Sequence, residues 1–503
     1  MRLNPKPSQR GGKQLLERYG KVGDILAEME EKLTYALVDN ATLTAVQRIL
    51  GQVKTKSRDS VDTDIVALEN FLQAVLFYDQ IIAIDDYIPR HRDARIKSFN
   101  FVNFLRSADY NLDALAAKAS EKSAELRPEI RGGEFVNEDF KRLLELLQTH
   151  IICTWDVSSS IYYLTLKGLA EKNSEEFEKY GNLAAAIFSE LGDAADSGKR
   201  TSGDVALFDR YGQPIGSGYK IPGAKWGDGS TGGMTGAIKP FVASLVWLAN
   251  RSIFYSLVAK YLQADTFLYP IRQAYQQHYI SQSCNYGQNY PKRIVESFSS
   301  TFSEDIIAIQ QGGLATASAI DLPIFGAWMA RQTGDPATLI TATLELRERS
   351  EFQEAREQLR EVRRLFDESD IGSANKAVTK IIVDLKKAST DMRTKYGIKT
   401  KQGVPVTRLV HIYNTVAALK GLPTLPDYNF SVKLPDFLKF DKNRGFSSVY
   451  RNLTHDLSTT WSLGEARDIL GSRVILDKEA FVYNPKNEDP IYRKSHSPIK
   501  SPM

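Results

Sequence analysis

Two aspartates one heptad apart, Asp79 and Asp86, have the residue type and spacing best suited to chemistry in this chain. Read as a helix, Asp64 to Asp85 carries Ile65, Leu68, Leu72, Val75 and Ile82 in one apolar stripe. At about 100° per residue, Asp79 and Asp86 fall within roughly 20° of each other on that stripe. Carboxylates on an apolar face are costly unless paired or metal-bound. With Asp85 beside them they would form an acid–base or Mg²⁺ site of a metal-dependent hydrolase. Paired with Arg90, Arg92 or a distant arginine, they would fix packing instead.

Arg272 and His278 are a second pair, six residues apart in a helical region. The spacing Arg-x5-His resembles the active-site motif of the helical HEPN ribonucleases. That resemblance implies an arginine and a histidine assisting attack by a ribose 2′-hydroxyl, with Gln273 as the polar neighbour. On a helix the two side chains lie about 120° apart, so a kink or a second subunit must unite them.

Other segments bear on binding. Gly223 to Gly233 is glycine-rich and suggests a phosphate cradle, since backbone N–H groups at a helix start hold anions. It lacks the lysine of a G-x-x-x-x-G-K-[ST] loop and reads rather as an exposed loop or assembly contact. Arg2, Lys6, Arg10, Lys13 and Arg18 give residues 1–20 a charge of +4, and residues 484–503 carry +2. The whole chain is only +4, so the body is −2 and the basic excess sits in the ends. Lys376 to Lys401 adds a local +6, with Lys376, Lys380 and Lys387 on one face opposite Val378, Ile381 and Leu385. Such a face can meet phosphates or simply be solvated.

Composition narrows the classes. Two cysteines, Cys153 and Cys284, and six scattered histidines give no zinc spacing, so no metal or cofactor is expected. With no hydrophobic leader, a cytoplasmic setting is expected. The run Phe241 to Val258 is apolar enough to suggest a membrane helix. Asn250 and Arg251 interrupt it, and a central arginine costs about 3 kcal/mol on insertion. It reads as a core helix, with no membrane contact.

The elements that would position these residues are mostly helices. Residues 1–13 read as a disordered basic arm and 14–200 as an N-terminal helical domain. Helices are expected at 15–37, 42–53, 64–85, 96–106, 110–124, 138–151, 157–172 and 174–195, with Pro89 and the basic cluster 90–95 closing one of them. Residues 201–333 hold a hairpin (Val205–Asp209 with Ile215–Ile221), the glycine-rich loop 223–236 and buried helices. Residues 334–400 form a helical hairpin opened by Asp335-Pro336, with a capping box at Ser350–Gln353 and an apolar seam of Phe352, Ala355, Leu359, Val362 and Phe366. Residues 401–483 are irregular and 484–503 a disordered tail. The fold class is therefore mainly α, a multi-helix body with one small β hairpin. Two functions remain open. One is a non-catalytic assembly protein, coat- or nucleocapsid-like, that forms a homo-oligomer and contacts RNA or DNA without sequence preference. The other is an enzyme, either a helical ribonuclease or a metal-dependent hydrolase.

Overall fold

The computed structural model describes chiefly residues 33–146, 152–154, 160–162, 186–199, 206–208, 231–302, 324–395, 445–457 and 468–481, with short breaks inside several of these ranges. The protein is mainly α, as expected, but a parallel sheet rather than a hairpin organises it. Four strands, β1 (Tyr35–Val38), β2 (Gln80–Asp85), β3 (Asn103–Arg106) and β4 (Asp265–Phe267), lie in the order β4-β1-β2-β3. All three pairings are parallel.

The expected 64–85 helix is two elements. Helix α2 (Val61–Phe77) follows α1 (Asn40–Ile49) and ends at Tyr78, whose backbone turns extended. Then Gln80-Ile-Ile-Ala-Ile-Asp85 runs as β2. A strand covered on both faces needs apolar residues at consecutive positions, so it has no period-2 signature. Its Ile82 therefore passed for one more step of the helical stripe. The same cause turned the end of the 15–37 helix into β1, all four residues of which are buried. Pro89 opens rather than closes a helix: it sits in the first turn of α3 (Pro89–Ser98), where its missing N–H costs nothing. The expected 96–106 helix thus gives way to the end of α3 and to β3.

Two cores flank the sheet. Ala36, Val38, Ile81 and Ala83 pack on α1, α2 and the later helices α8 (Ile324–Thr333), α9 (Leu339–Arg347), α10 (Ser350–Asp367), α11 (Ile371–Lys395) and α12 (Phe446–Leu457). Leu37, Ile82 and Ile84 pack on α4 (Asp113–Ala124), α5 (Glu138–Leu146), α6 (Thr231–Tyr261) and α7 (Pro270–Ser283). Helix α6 begins at Thr231, so Gly232, Gly233 and Gly236 are helical and not part of a loop. Its Val242–Tyr261 stretch is long and apolar enough to cross a membrane, yet 78% of it is buried inside the protein. A core helix does the same.

Asp335 caps the turn that starts at Pro336, accepting from Ala337 N at 3.0 Å, as the sequence indicates. The capping box does not form: Gln353 Nε2 donates to the Glu348 carbonyl instead. The helical hairpin of α10 and α11 is present. Its seam of Phe352, Ala355, Leu359 and Val362 is buried against Ala377, Ile381 and Leu385, and against α2 and α12. The side chain of Phe366 lies outside the described residues, and Leu365 is buried at that end. This seam is thus covered within one chain. Residues 206–208 form the expected first strand of the hairpin but pair in parallel with Glu129–Arg131. The expected second strand, 215–221, lies outside the described residues, as do residues 1–32, 401–443 and 482–503.

Candidate functional site at the carboxyl edge of the sheet

Strand β1 has β2 on one side and β4, reached only after β3, on the other, so the strand order reverses between β1 and β4. In an open parallel sheet the crevice outside the carboxyl ends at such a reversal is where ligands collect. The sequence places charge there. Asp39 and Asn40 follow β1, Asp85 ends β2 with Asp86 and Tyr87 next, and Tyr269 and Arg272 follow β4.

The inner part of this edge is a closed ionic lock around Arg272, which is fully buried on α7. Its Nη1 donates to Asp39 Oδ2 at 3.0 Å, its Nε to Glu190 Oε1 at 2.9 Å, and its Nη2 to Glu190 Oε2 at 2.6 Å and Asp193 Oδ2 at 2.7 Å. Asp39 doubles as the N-cap of α1, taking Thr42 N at 2.9 Å, and it also accepts from Tyr269 N. Asp193 further accepts from Trp247 Nε1 at 2.8 Å and from the Tyr87 hydroxyl. A second guanidinium, Arg251 of α6, holds Asp86 at 2.6 Å. Asn40 bridges the two strand ends, donating to Asp86 and to the Ile84 carbonyl and accepting from Arg95.

Electrostatics follow from these contacts. Burial alone would raise Asp193, but Arg272 and Arg251 hold it well below the usual carboxylate range. Glu190 has no donor besides Arg272 among the described residues, and burial pushes it up to about 7. Tyr87, buried beside Asp193, is pushed well above its ordinary value.

The outer part is less fully paired. Burial raises the Asp85 carboxyl, only partly offset by Arg92 and Arg106. Among the described residues its Oδ1 has no hydrogen-bond partner, and Arg92 Nε stands 3.9 Å from Oδ2. One residue before Arg92, in the first turn of α3, His91 Nε2 lies 3.3 Å from Asp196 Oδ1 and 3.2 Å from Arg90 Nη2. The His91 side chain is 30% exposed. The lock holds this rim in place: Tyr87 is tied to Asp193, and Ile88 N donates to the Asp196 carbonyl at 2.9 Å.

The residues singled out by sequence separate. Asp86 belongs to the edge, but Asp79 lies at the opposite end of β2, roughly 20 Å away by strand rise. There its Oδ2 accepts from Thr34 N and Oγ1, both at 2.9 Å, with Arg360 Nε 3.6 Å from Oδ1. The two aspartates thus share no helix face and no site. Arg272 and His278 do share α7, but Arg272 is saturated by carboxylates, and the His278 side chain lies outside the described residues. Lys376 and Lys387 are exposed on α11, while Lys380 Nζ pairs with Asp384 at 2.9 Å. Arg2, Lys6, Arg10, Lys13 and loop residues 223–230 lie outside the described residues.

Sequence reasoning missed Asp39, Arg251, Glu190, Asp193 and the His91–Asp196 pair. The usable signal was an isoleucine-rich run ending in Asp-Asp-Tyr and followed by a proline two residues on, which fits a strand, turn and helix start. Among the described residues no three of His, Cys, Asp or Glu come together as a metal-ligand set. The edge carboxylates face guanidinium groups instead. No family model, curated protein or solved structure matches the chain.

Proposed function

We propose that the chain is a ribonuclease that works with its own side chains at the rim, around His91. The observation that carries this reading is the partly exposed His91 imidazole, whose Nε2 faces both the Asp196 carboxylate and the Arg90 guanidinium and so leaves Nδ1 to act as the base. A carboxylate that orients an imidazole makes it an effective general base. In this reading His91 removes the proton of a ribose 2′-hydroxyl, whose oxygen attacks the adjacent phosphorus. The bond to the 5′-oxygen breaks, leaving a 2′,3′-cyclic phosphate. Asp85, its carboxyl raised by burial, supplies the proton to the departing oxygen, and Arg90 and Arg92 neutralise the phosphate. Of the two enzyme classes open in the sequence, the ribonuclease is retained and moved from Arg272 and His278 to His91. A cytoplasmic setting, with both cysteines reduced, goes with it.

The test is cleavage of a quenched-fluorophore RNA in the presence of EDTA. His91→Ala is expected to lower the rate by about 10²–10⁴-fold, with stability changed by less than about 0.5 kcal/mol because the residue is at the surface. DNA of the same sequence, lacking the 2′-hydroxyl, should stay intact. Full activity in His91→Ala, or equal cleavage of DNA, would reject the reading.

A second reading, sequence-independent coating of nucleic acid by an assembly subunit, is favoured by the exposed Lys376 and Lys387 on α11. The α10–α11 seam no longer argues for a homo-oligomer, since the chain covers it itself. If those lysines touch phosphates, the double change Lys376→Glu and Lys387→Glu should flatten the log–log salt slope of RNA binding by about 2. An unchanged slope would leave the face as a solvated helix back.

A further inference from the structure

We propose that the Arg272 lock is a proton-operated latch, closed while one proton is shared among Asp39, Glu190 and Asp193 and loosened when that proton leaves. The geometry presents three carboxyl groups to one guanidinium, all within 2.6–3.0 Å, in a site closed to water. Of the nearby cations, Arg251 is already engaged by Asp86 and Arg95 by Asn40. Three carboxylates against a single positive charge leave an excess that a buried site relieves by keeping a proton.

The seat of that proton follows from counting donors. Asp39 has Arg272, Thr42 N and Tyr269 N, and Asp193 has Arg272, Trp247 and Tyr87. Among the described residues Glu190 has only the Nε and Nη2 groups of Arg272, two donors against three, so it loses least by being neutral. The value of about 7 for its carboxyl agrees with that seat. The groups facing it are Arg272 and Tyr269 from α7, Asp39 from the end of β1 and Asp193 from its own helical run, while Arg251 from α6 and Tyr87 act on Asp193 and Tyr255 from α6 acts on Asp39. Burial keeps all three tyrosines neutral across this range. Losing the Glu190 proton adds an unmatched negative charge beside Asp193 and Asp39. The element able to relieve it by moving is the 189–196 run, which carries Glu190, Asp193 and Asp196.

Trp247 reports on the latch, because its indole N–H is bonded to Asp193. Its fluorescence in the full-length wild-type chain should titrate with a midpoint near about 7. The difference between wild type and Trp247→Phe assigns the signal among the five tryptophans. In Glu190→Gln, which mimics the protonated carboxyl, the titration should disappear. Should that variant fail to fold, infrared difference spectra of wild type labelled with isotopic glutamate decide the matter. A protonated glutamate carbonyl band is expected at mildly acidic pH and should vanish with the same midpoint. A wild-type chain with no such band, or a Glu190→Gln chain that titrates like wild type, would overturn the latch. None of these measurements involves RNA, so the latch and the ribonuclease reading stand or fall separately.

Discussion

Arg272→Met is expected to cost about 3–5 kcal/mol of folding free energy, because it leaves three carboxyl groups buried around an absent partner. Arg272→Lys should recover little of this. A lysine offers a point charge, whereas the native guanidinium divides four of its five donors among Asp39, Glu190 and Asp193 in a fixed plane. The pH dependence gives the prediction its sign. Without Arg272, burial is left to push Glu190 further up and to carry Asp193 upward from its low value. Their contribution to stability is then retained at acid pH and lost as pH rises through the folded values. The deficit of the Met variant should therefore be larger at about pH 8 than at about pH 5. In wild type the Glu190 part is present in full below the unfolded value of 4.5 and lost as pH rises through about 7. That difference corresponds to roughly 3 kcal/mol. Asp193 acts in the opposite direction: held low, it stabilises above its unfolded value of 3.8, and that part is lost on acidification. Urea unfolding at two pH values measures both effects. An Arg272→Met chain within about 1 kcal/mol of wild type would show that the lock is not a stability element.

Much of the helical framework was legible in the sequence, and the reasons are local. Asp335-Pro336 announces its turn because the cap and the fixed proline φ act within three residues. The α10–α11 hairpin is readable because Phe352, Ala355, Leu359 and Val362 repeat at helical spacing beside a polar face. The sheet was hidden by its own burial. β1 and β2 are apolar on both faces, so Ile82 and Leu37 carry no alternation to separate them from helix. The site was hidden by distance along the chain. Arg272 stood out, but as half of a helical motif, whereas its partners lie 233, 82 and 79 positions away. Nothing in the local pattern of Glu190 or Asp193 distinguishes a lock carboxylate from a solvated one. Asp79 was misread for a related reason: the wheel assumed one helix through Tyr78, where the backbone turns extended.

Phe77→Ala should be nearly as damaging as the loss of Arg272, at the other end of the molecule. Phe77 closes α2 and is fully buried. Its ring lies 5.0 Å from Phe446, 5.5 Å from Phe325, 5.6 Å from Phe352 and 5.7 Å from Phe298. Those rings come from α12, α8, α10 and the helical run 294–299, so one side chain joins four segments that are distant in sequence. Truncation removes the apolar transfer energy and leaves a cavity that four separately anchored elements cannot all close. A cost of about 3–5 kcal/mol follows. Phe77→Leu keeps most of the volume and should cost less than half as much. As a control, Val383→Ala on the exposed side of α11 should change stability by less than about 0.5 kcal/mol. Amide exchange should show where the damage falls. Protection is expected to drop together in α8, α10 and α12, because their shared contact has gone. At the carboxyl edge, across the sheet from Phe77, Asp86 and Arg251 keep their partners. Any cleavage of RNA per folded molecule should therefore be unchanged in Phe77→Ala, whereas His91→Ala should lower it by about 10²–10⁴-fold with stability nearly unchanged. A Phe77→Ala chain that unfolds with wild-type midpoint, or that loses protection in α2 alone, would show that the aromatic cluster does not couple these helices.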